Sequence, residues 1–217
     1  KPSNKIKLNA SFHYTRGKGY FEQYVGSEFN STMYNGDYSF GKDLFSYYGL
    51  DDIIISGDTI TKTNLIRRRW LDNHFYGIVY SAEYSTDDLK FTFGGGANQY
   101  LGGHYGEVIW SQFASNGNIG HRYYDNDATK NDINVYGKWN YDLSANVSVY
   151  TDLQYRFVSY DFIGLDQDNN ALDQTAQLNF FNPKVGFNYM VNKQSSLYLF
   201  AGVGNKEPSR DDYTEST

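Results

Sequence analysis

The stretch INVYGKWNYDLSANVSVYTDLQYRF, residues 133–157, decides the reading of the fold. In its first half Ile133, Val135, Trp139 and Tyr141 alternate with Asn134, Lys138, Asn140 and Asp142. In its second half Val147, Val149, Leu153, Tyr155 and Phe157 alternate with Ser148, Asp152, Gln154 and Arg156. A helix would scatter these apolar residues around its circumference, whereas a strand gathers them on one face. The link between the halves, residues 143–145, suits a hairpin turn.

The same period of two recurs outward along the chain. Ile6, Leu8, Ala10, Phe12 and Tyr14 alternate with Lys5, Lys7, Asn9, Ser11 and His13. Tyr76, Ile78, Tyr80, Ala82 and Tyr84 share a face, and Leu89, Phe91, Phe93 and Ala97 share another. Beyond the hairpin, Phe181, Val185, Phe187 and Tyr189 make a sixth stripe, and Leu197, Leu199, Ala201 and Val203 a seventh. The links at 85–88 and 192–195 are short. Those at 17–70, 101–131 and 162–175 are long, the first far beyond the usual connection of about 4–6 residues. Within it, Ile53, Ile54 and Ile55 predict a short strand over 52–57.

Composition narrows the function. The 217 residues are 18% aromatic, with Tyr 22, and Lys+Arg 19 against Asp+Glu 25 leaves a net charge of -6. That balance argues against nucleic-acid binding, which needs a basic surplus or stripe. Cys 0 excludes disulfides, thiolate catalysis and cysteine-based metal sites. No run approaches the roughly 18 apolar residues of a spanning helix, which says nothing against a membrane barrel. No apolar secretory segment follows Lys1, so any export signal is expected to be removed or to lie outside the sequence.

Short turns at one end and long loops at the other predict an all-β, antiparallel transmembrane barrel segment of seven to eight strands, with periplasmic turns and extracellular loops. Its charged faces, with Lys5, Lys7, Lys138, Asp152, Arg156 and Lys184, would line a lumen. Its apolar faces would meet outer-membrane lipid, with Trp139, Tyr141, Tyr155, Tyr189 and Tyr84 as aromatic girdles. A soluble β-sandwich with the same stripes as its core is the alternative.

The sequence also carries a resemblance. RWLDNHFYG at 69–77, YSAEY at 80–84, GGGANQY at 94–100 and HYGEVIW at 104–110 resemble the barrel of TonB-dependent outer-membrane receptors, particularly those of the Bacteroidetes. FNPKVGFNY at 181–189 and GVGNKEPSRDDY at 202–213 extend the similarity, and the Glu-Pro-x-Arg-x-Asp-Tyr pattern is its most specific part. The resemblance implies a barrel of roughly 22 strands around a plug. It implies uptake of a nutrient cargo such as an iron chelate, haem, cobalamin or glycan, energised by TonB through the plug. Residues 1–217 would then be a partial barrel domain, lacking the plug and the C-terminal strands, in a bacterial outer membrane. Seven strands break the even-number rule, which points to an internal part of a receptor. A complete small barrel, with an eighth strand near 52–57 or 119–124, is the alternative.

No enzyme constellation stands out. His13, His74, His104 and His121 form no metal motif, although His104 and Glu107, with His121, could hold a metal or touch a cofactor-like cargo. No resident cofactor is expected. Arg67, Arg68 and Arg69 form the dense basic cluster, expected at the outer rim as an interfacial anchor, or as a contact for cargo or lipopolysaccharide phosphates. The aromatics of the first long connection, among them Tyr38, Tyr47 and Tyr48, suit stacking on a cargo or closing as a lid. Gly94, Gly95 and Gly96 lie inside a strand, where they admit a bend or the close approach of another backbone, such as a plug. Through the resemblance, Glu207, Arg210 and Asp212 are expected to support the wall. The expected function is outer-membrane nutrient uptake. Its rival is a small outer-membrane or secreted β-protein acting as a carbohydrate-binding or adhesin module.

Overall fold

A computed structural model describes residues 5–27, 43–113, 120–166 and 170–208. Seven strands, β1 (Ile6–Val25), β4 (Leu65–Ser85), β5 (Leu89–Ser111), β6 (His121–Ser144), β7 (Val147–Leu165), β8 (Ala171–Asn192) and β9 (Ser195–Gly202), form one antiparallel sheet in the order β1-β4-β5-β6-β7-β8-β9. A helical turn, α1 (Leu44–Tyr48), and a hairpin of β2 (Ile53–Ile55) and β3 (Asp58–Ile60) fill the connection from β1 to β4. Each predicted stripe is a strand, but six of the seven strands run well past the alternating segment. β1, for example, pairs with β4 from Ile6 opposite Tyr84 to Val25 opposite Leu65.

The register sorts side chains onto two faces. The first face carries the apolar stripe, and a line of side-chain hydrogen bonds crosses four strands at its upper limit. Tyr76 donates to Gln99, Gln99 Nε2 to Asn131 Oδ1 at 2.7 Å, and Asn131 Nδ2 to Ser159 Oγ at 3.1 Å. Above this line the first face turns mostly polar and aromatic. The second face carries His13, Lys130, Asp132, Arg156 and Lys184, together with a core at the long-connection end. That core packs Val25, Leu44, Tyr48, Leu50, Leu65, Val108, Tyr123 and Tyr124.

Local chemistry explains α1. Asp43 caps it, its side chain accepting from the Ser46 N–H at 2.8 Å. Gly49 ends it at φ 62, its N–H reaching the Leu44 and Phe45 carbonyls. The turn thereby lays Leu44, Tyr47 and Tyr48 onto the second face.

These features correct the membrane reading. Among the described residues the sheet is open: β1 pairs only with β4, β9 only with β8, and β2–β3 form a separate small sheet. A transmembrane barrel must close, because hydrocarbon offers no partners to the backbone groups along an open strand edge. The barrel assignment therefore falls, and the outer-membrane location, the lipid and lipopolysaccharide contacts, the plug and the coupling to TonB fall with it. No helix among the described residues is long and apolar enough to cross a membrane. The sandwich alternative has no support either: Leu8 and Phe12 on the apolar stripe are 74% and 80% exposed, and no second layer covers them among the described residues.

Candidate functional site

Above the hydrogen-bonded line, the first face carries an aromatic ladder across β1, β4 and β5. Tyr20, Trp70 and Tyr105 are successive register partners. The Tyr20 and Trp70 ring centroids lie 4.5 Å apart, and those of Trp70 and Tyr105 5.8 Å apart with planes inclined by 15°. Tyr20 is 48% exposed, Trp70 is half-buried, and Tyr105 is buried between Trp70 and the Arg122 guanidinium, whose Cζ stands 3.7 Å from the Tyr105 ring centroid.

The position of Arg122 depends on a bulge. The β5–β6 register steps from Gly106 opposite Tyr124 to Glu107 opposite Arg122, leaving Tyr123 as an extra residue. In an unbroken strand Tyr123 and Tyr124 would point to opposite faces, but here both enter the same core. Gly106 makes the room. A Cβ there would collide with both rings. The extra residue also shifts the pleat beyond it, so that Arg122 joins the ladder face.

Charged groups rim the ladder. Trp70 Nε1 donates to Glu107 Oε2 at 2.8 Å, and Arg68 lies over Tyr20 while donating to Glu22 at 3.0 Å. Lys18 and Arg16 pair with Asp72 at 3.0 and 2.8 Å. The hydrogen bond from Lys18 is the main influence holding the Asp72 carboxyl below the usual carboxylate range. Arg122 binds Asp125 at 2.6 Å, which raises its guanidinium further. The result is a row of rings packed on one another and on the Arg68 and Arg122 guanidinium groups, edged by donors and acceptors, with Tyr20 its most exposed ring.

The residues singled out in the sequence are dispersed. Arg68 and Glu107 belong to the ladder. Arg67 is buried, donating to Gln23 Oε1 at 2.8 Å and to the Tyr48 hydroxyl at 3.4 Å, and Tyr47 and Tyr48 are core residues around it. His121 Nε2 donates to the Tyr48 carbonyl at 2.7 Å, which ties β6 to α1. His104 faces the second side of the sheet, away from Glu107, so His104, Glu107 and His121 do not converge. Among the described residues no group of three or more histidine and acidic side chains could hold a metal ion. Gly94 and Gly95 sit beneath the Tyr136 and Tyr80 rings of the flanking strands, so their close neighbours belong to the sheet itself. Glu207 pairs with Lys130 and Arg156 on the second face. Tyr38, Arg210 and Asp212 lie outside the described residues.

Sequence reasoning missed Tyr20, Trp70, Tyr105 and Arg122 as a group. A signal existed in the aromatics at 20, 70 and 105, but it becomes readable only once the register is known.

No family model and no curated protein matches the chain. The resemblance to TonB-dependent receptors therefore stands without a match to support it, and with the sheet open the uptake function it implied is set aside.

Proposed function

We propose that the protein is a carbohydrate-binding module that works without catalysis and recognises glycans on the Tyr20–Trp70–Tyr105 ladder. The observation that carries this reading is the exposed Tyr20 ring held against the half-buried Trp70 indole and edged by Glu22, Arg68, Asp72 and Glu107. A pyranose ring has apolar C–H faces and an equator of hydroxyls. Aromatic faces take up the first, and charged hydrogen-bonding groups in fixed positions take up the second. Rungs on adjacent strands are spaced by about 4.8 Å, so Tyr20, Trp70 and the charged groups beside them form a strip across neighbouring strands that suits an oligosaccharide.

Isothermal titration with neutral β-linked and α-linked oligosaccharides tests the reading. Binding by the wild type that falls at least tenfold in both Trp70→Ala and Tyr20→Ala, with the fold retained by circular dichroism, is the expected result. Binding that is indifferent to both substitutions would remove the ladder as the recognition surface.

A further inference from the structure

The second face holds a cationic pair occupied by the protein's own carboxylate. Lys130 Nζ lies 2.6 Å from Glu207 Oε1, and Arg156 Nη2 lies 2.6 Å from Glu207 Oε2. Each carboxylate oxygen thus meets a different cation, a bridging geometry that suits a planar two-oxygen anion. Ring faces flank both cations, with Tyr160 5.0 Å from Lys130 Nζ and Phe180 6.0 Å from Arg156 Cζ. Asp132 accepts from Arg156 Nε at 3.0 Å and from the same Nη2 that meets Glu207, so the guanidinium keeps an orienting partner when Glu207 leaves.

Glu207 reaches this position on residues 203–208, which form no helix or strand. The segment is held by four bonds to β8: Val203 N–H to the Pro183 carbonyl at 2.9 Å, Asn205 N–H to Asn182 Oδ1 at 2.8 Å, and Asn205 Nδ2 to both the Phe181 carbonyl at 3.0 Å and Asn182 Oδ1 at 2.9 Å. Beyond Val203 none of these belongs to the strand ladder, so Glu207 can leave without unpairing β8. Its departure would leave Asp132 balancing one of the two cations and the other uncompensated, at an aromatic-walled site.

We propose that Lys130 and Arg156 form a binding site for a carboxylate-bearing ligand, such as a uronic acid residue, and that Glu207 is an internal competitor that keeps the site closed until such a ligand displaces it. A tethered competitor acts at an effective concentration in the millimolar range, so the wild type binds free carboxylates weakly. Its removal raises the apparent affinity by the reciprocal of the open fraction. The site lies on the face opposite the aromatic ladder and does not depend on it.

The test titrates sodium glucuronate and inorganic phosphate into the wild type, Glu207→Gln, the double variant Glu207→Gln/Lys130→Met, and Trp70→Ala. Glucuronate affinity should rise at least tenfold in Glu207→Gln, return to the wild-type level or below in the double variant, and be unchanged by Trp70→Ala. Phosphate should gain less, because its tetrahedral oxygens do not match the bridge. Equal glucuronate affinity in the wild type and Glu207→Gln, a gain that survives loss of Lys130, or a gain for phosphate alone would each overturn the proposal. A second readout needs no variant. Saturating glucuronate should accelerate amide exchange at Asn205 of the wild type, and unchanged exchange there would equally overturn it.

Discussion

The Trp70 indole N–H donates to a Glu107 carboxylate oxygen at 2.8 Å, while the same indole stacks on Tyr105. One side chain thus joins the acidic rim to the aromatic row and fixes the plane of its central ring. Trp70→Phe separates the two roles. It keeps a ring for stacking and loses the bond to Glu107, so stability should fall by about 1.5 kcal/mol, the lower end of the range for a bond to a charged acceptor because the site is partly wet. Urea unfolding measures the stability change. Oligosaccharide affinity should fall less than in Trp70→Ala, and calorimetry of the pair measures that difference.

Gly106 is the position least tolerant of a side chain near the site. Gly106→Ala places a methyl group against the Tyr123 and Tyr124 rings. Overpacking of this kind costs about 1–3 kcal/mol. The bulge should shift in response and carry Arg122 off Tyr105, so equilibrium unfolding and glycan titration should both report a loss. A change in stability with binding intact would show that the placement of Arg122 does not matter for recognition.

How far the fold could be read from sequence depended on where the two faces differ. Below the Tyr76–Gln99–Asn131 line one face is apolar and the other polar, so the period of two is plain in residues 133–157. Above it Lys18, Tyr20 and Glu22 alternate with Gly19, Phe21 and Gln23, and neither face is consistently apolar. The alternation vanishes although the backbone pairing continues to Val25. The bulge is illegible for a related reason: Tyr123 and Tyr124 are the same residue type, so no change of polarity marks the doubled inward position. The turn that carries Tyr47 and Tyr48 was more accessible than their burial. Asp43 and Gly49 mark its N-cap and C-terminal stop, but that spacing does not separate the buried Tyr47 and Tyr48 from Phe45, which is exposed in the same turn.

Alkaline pH should weaken the core around α1. Burial is the main cause that pushes the Tyr124 phenol up to about 12, and it raises Tyr48 and Tyr123 as well. A phenol whose folded pKa exceeds its unfolded value near 10 contributes its full stability below that value and loses it as pH rises through the folded pKa. For Tyr124 this amounts to on the order of 2–3 kcal/mol. Stability should therefore decline between roughly pH 10 and 12. Phenolate absorbance followed alongside circular dichroism checks this, and late-titrating tyrosines should ionise together with unfolding.

The cap on α1 should give the opposite response at low pH. The Ser46 backbone N–H holds the Asp43 carboxyl below the usual carboxylate range. Stability from a depressed carboxylate is present above its unfolded pKa near 3.9 and is lost as pH falls through the folded value. Asp43→Asn should retain most of the cap and remove this acid dependence, whereas Asp43→Ala should cost about 1 kcal/mol at neutral pH. Denaturation midpoints at pH 3 and pH 7 for the three proteins distinguish the cases.

Truncating Leu44 on α1 should be costly. It is 1% exposed, and Leu44→Ala should destabilise by about 2–5 kcal/mol. Urea titration gives the value, and a loss below 1 kcal/mol would mean that α1 is not an integral part of the core.

The extra residue at Tyr123 also sets the phase of everything before it in β6. Deleting Tyr123 would leave Arg122 directly before Tyr124 in an unbroken pleat, so Arg122 would stay opposite Glu107 while the interior lost one of its two tyrosines. Flattening the bulge at constant length would instead send Arg122 to the other side. Shortening the chain here therefore alters the interior and spares the surface.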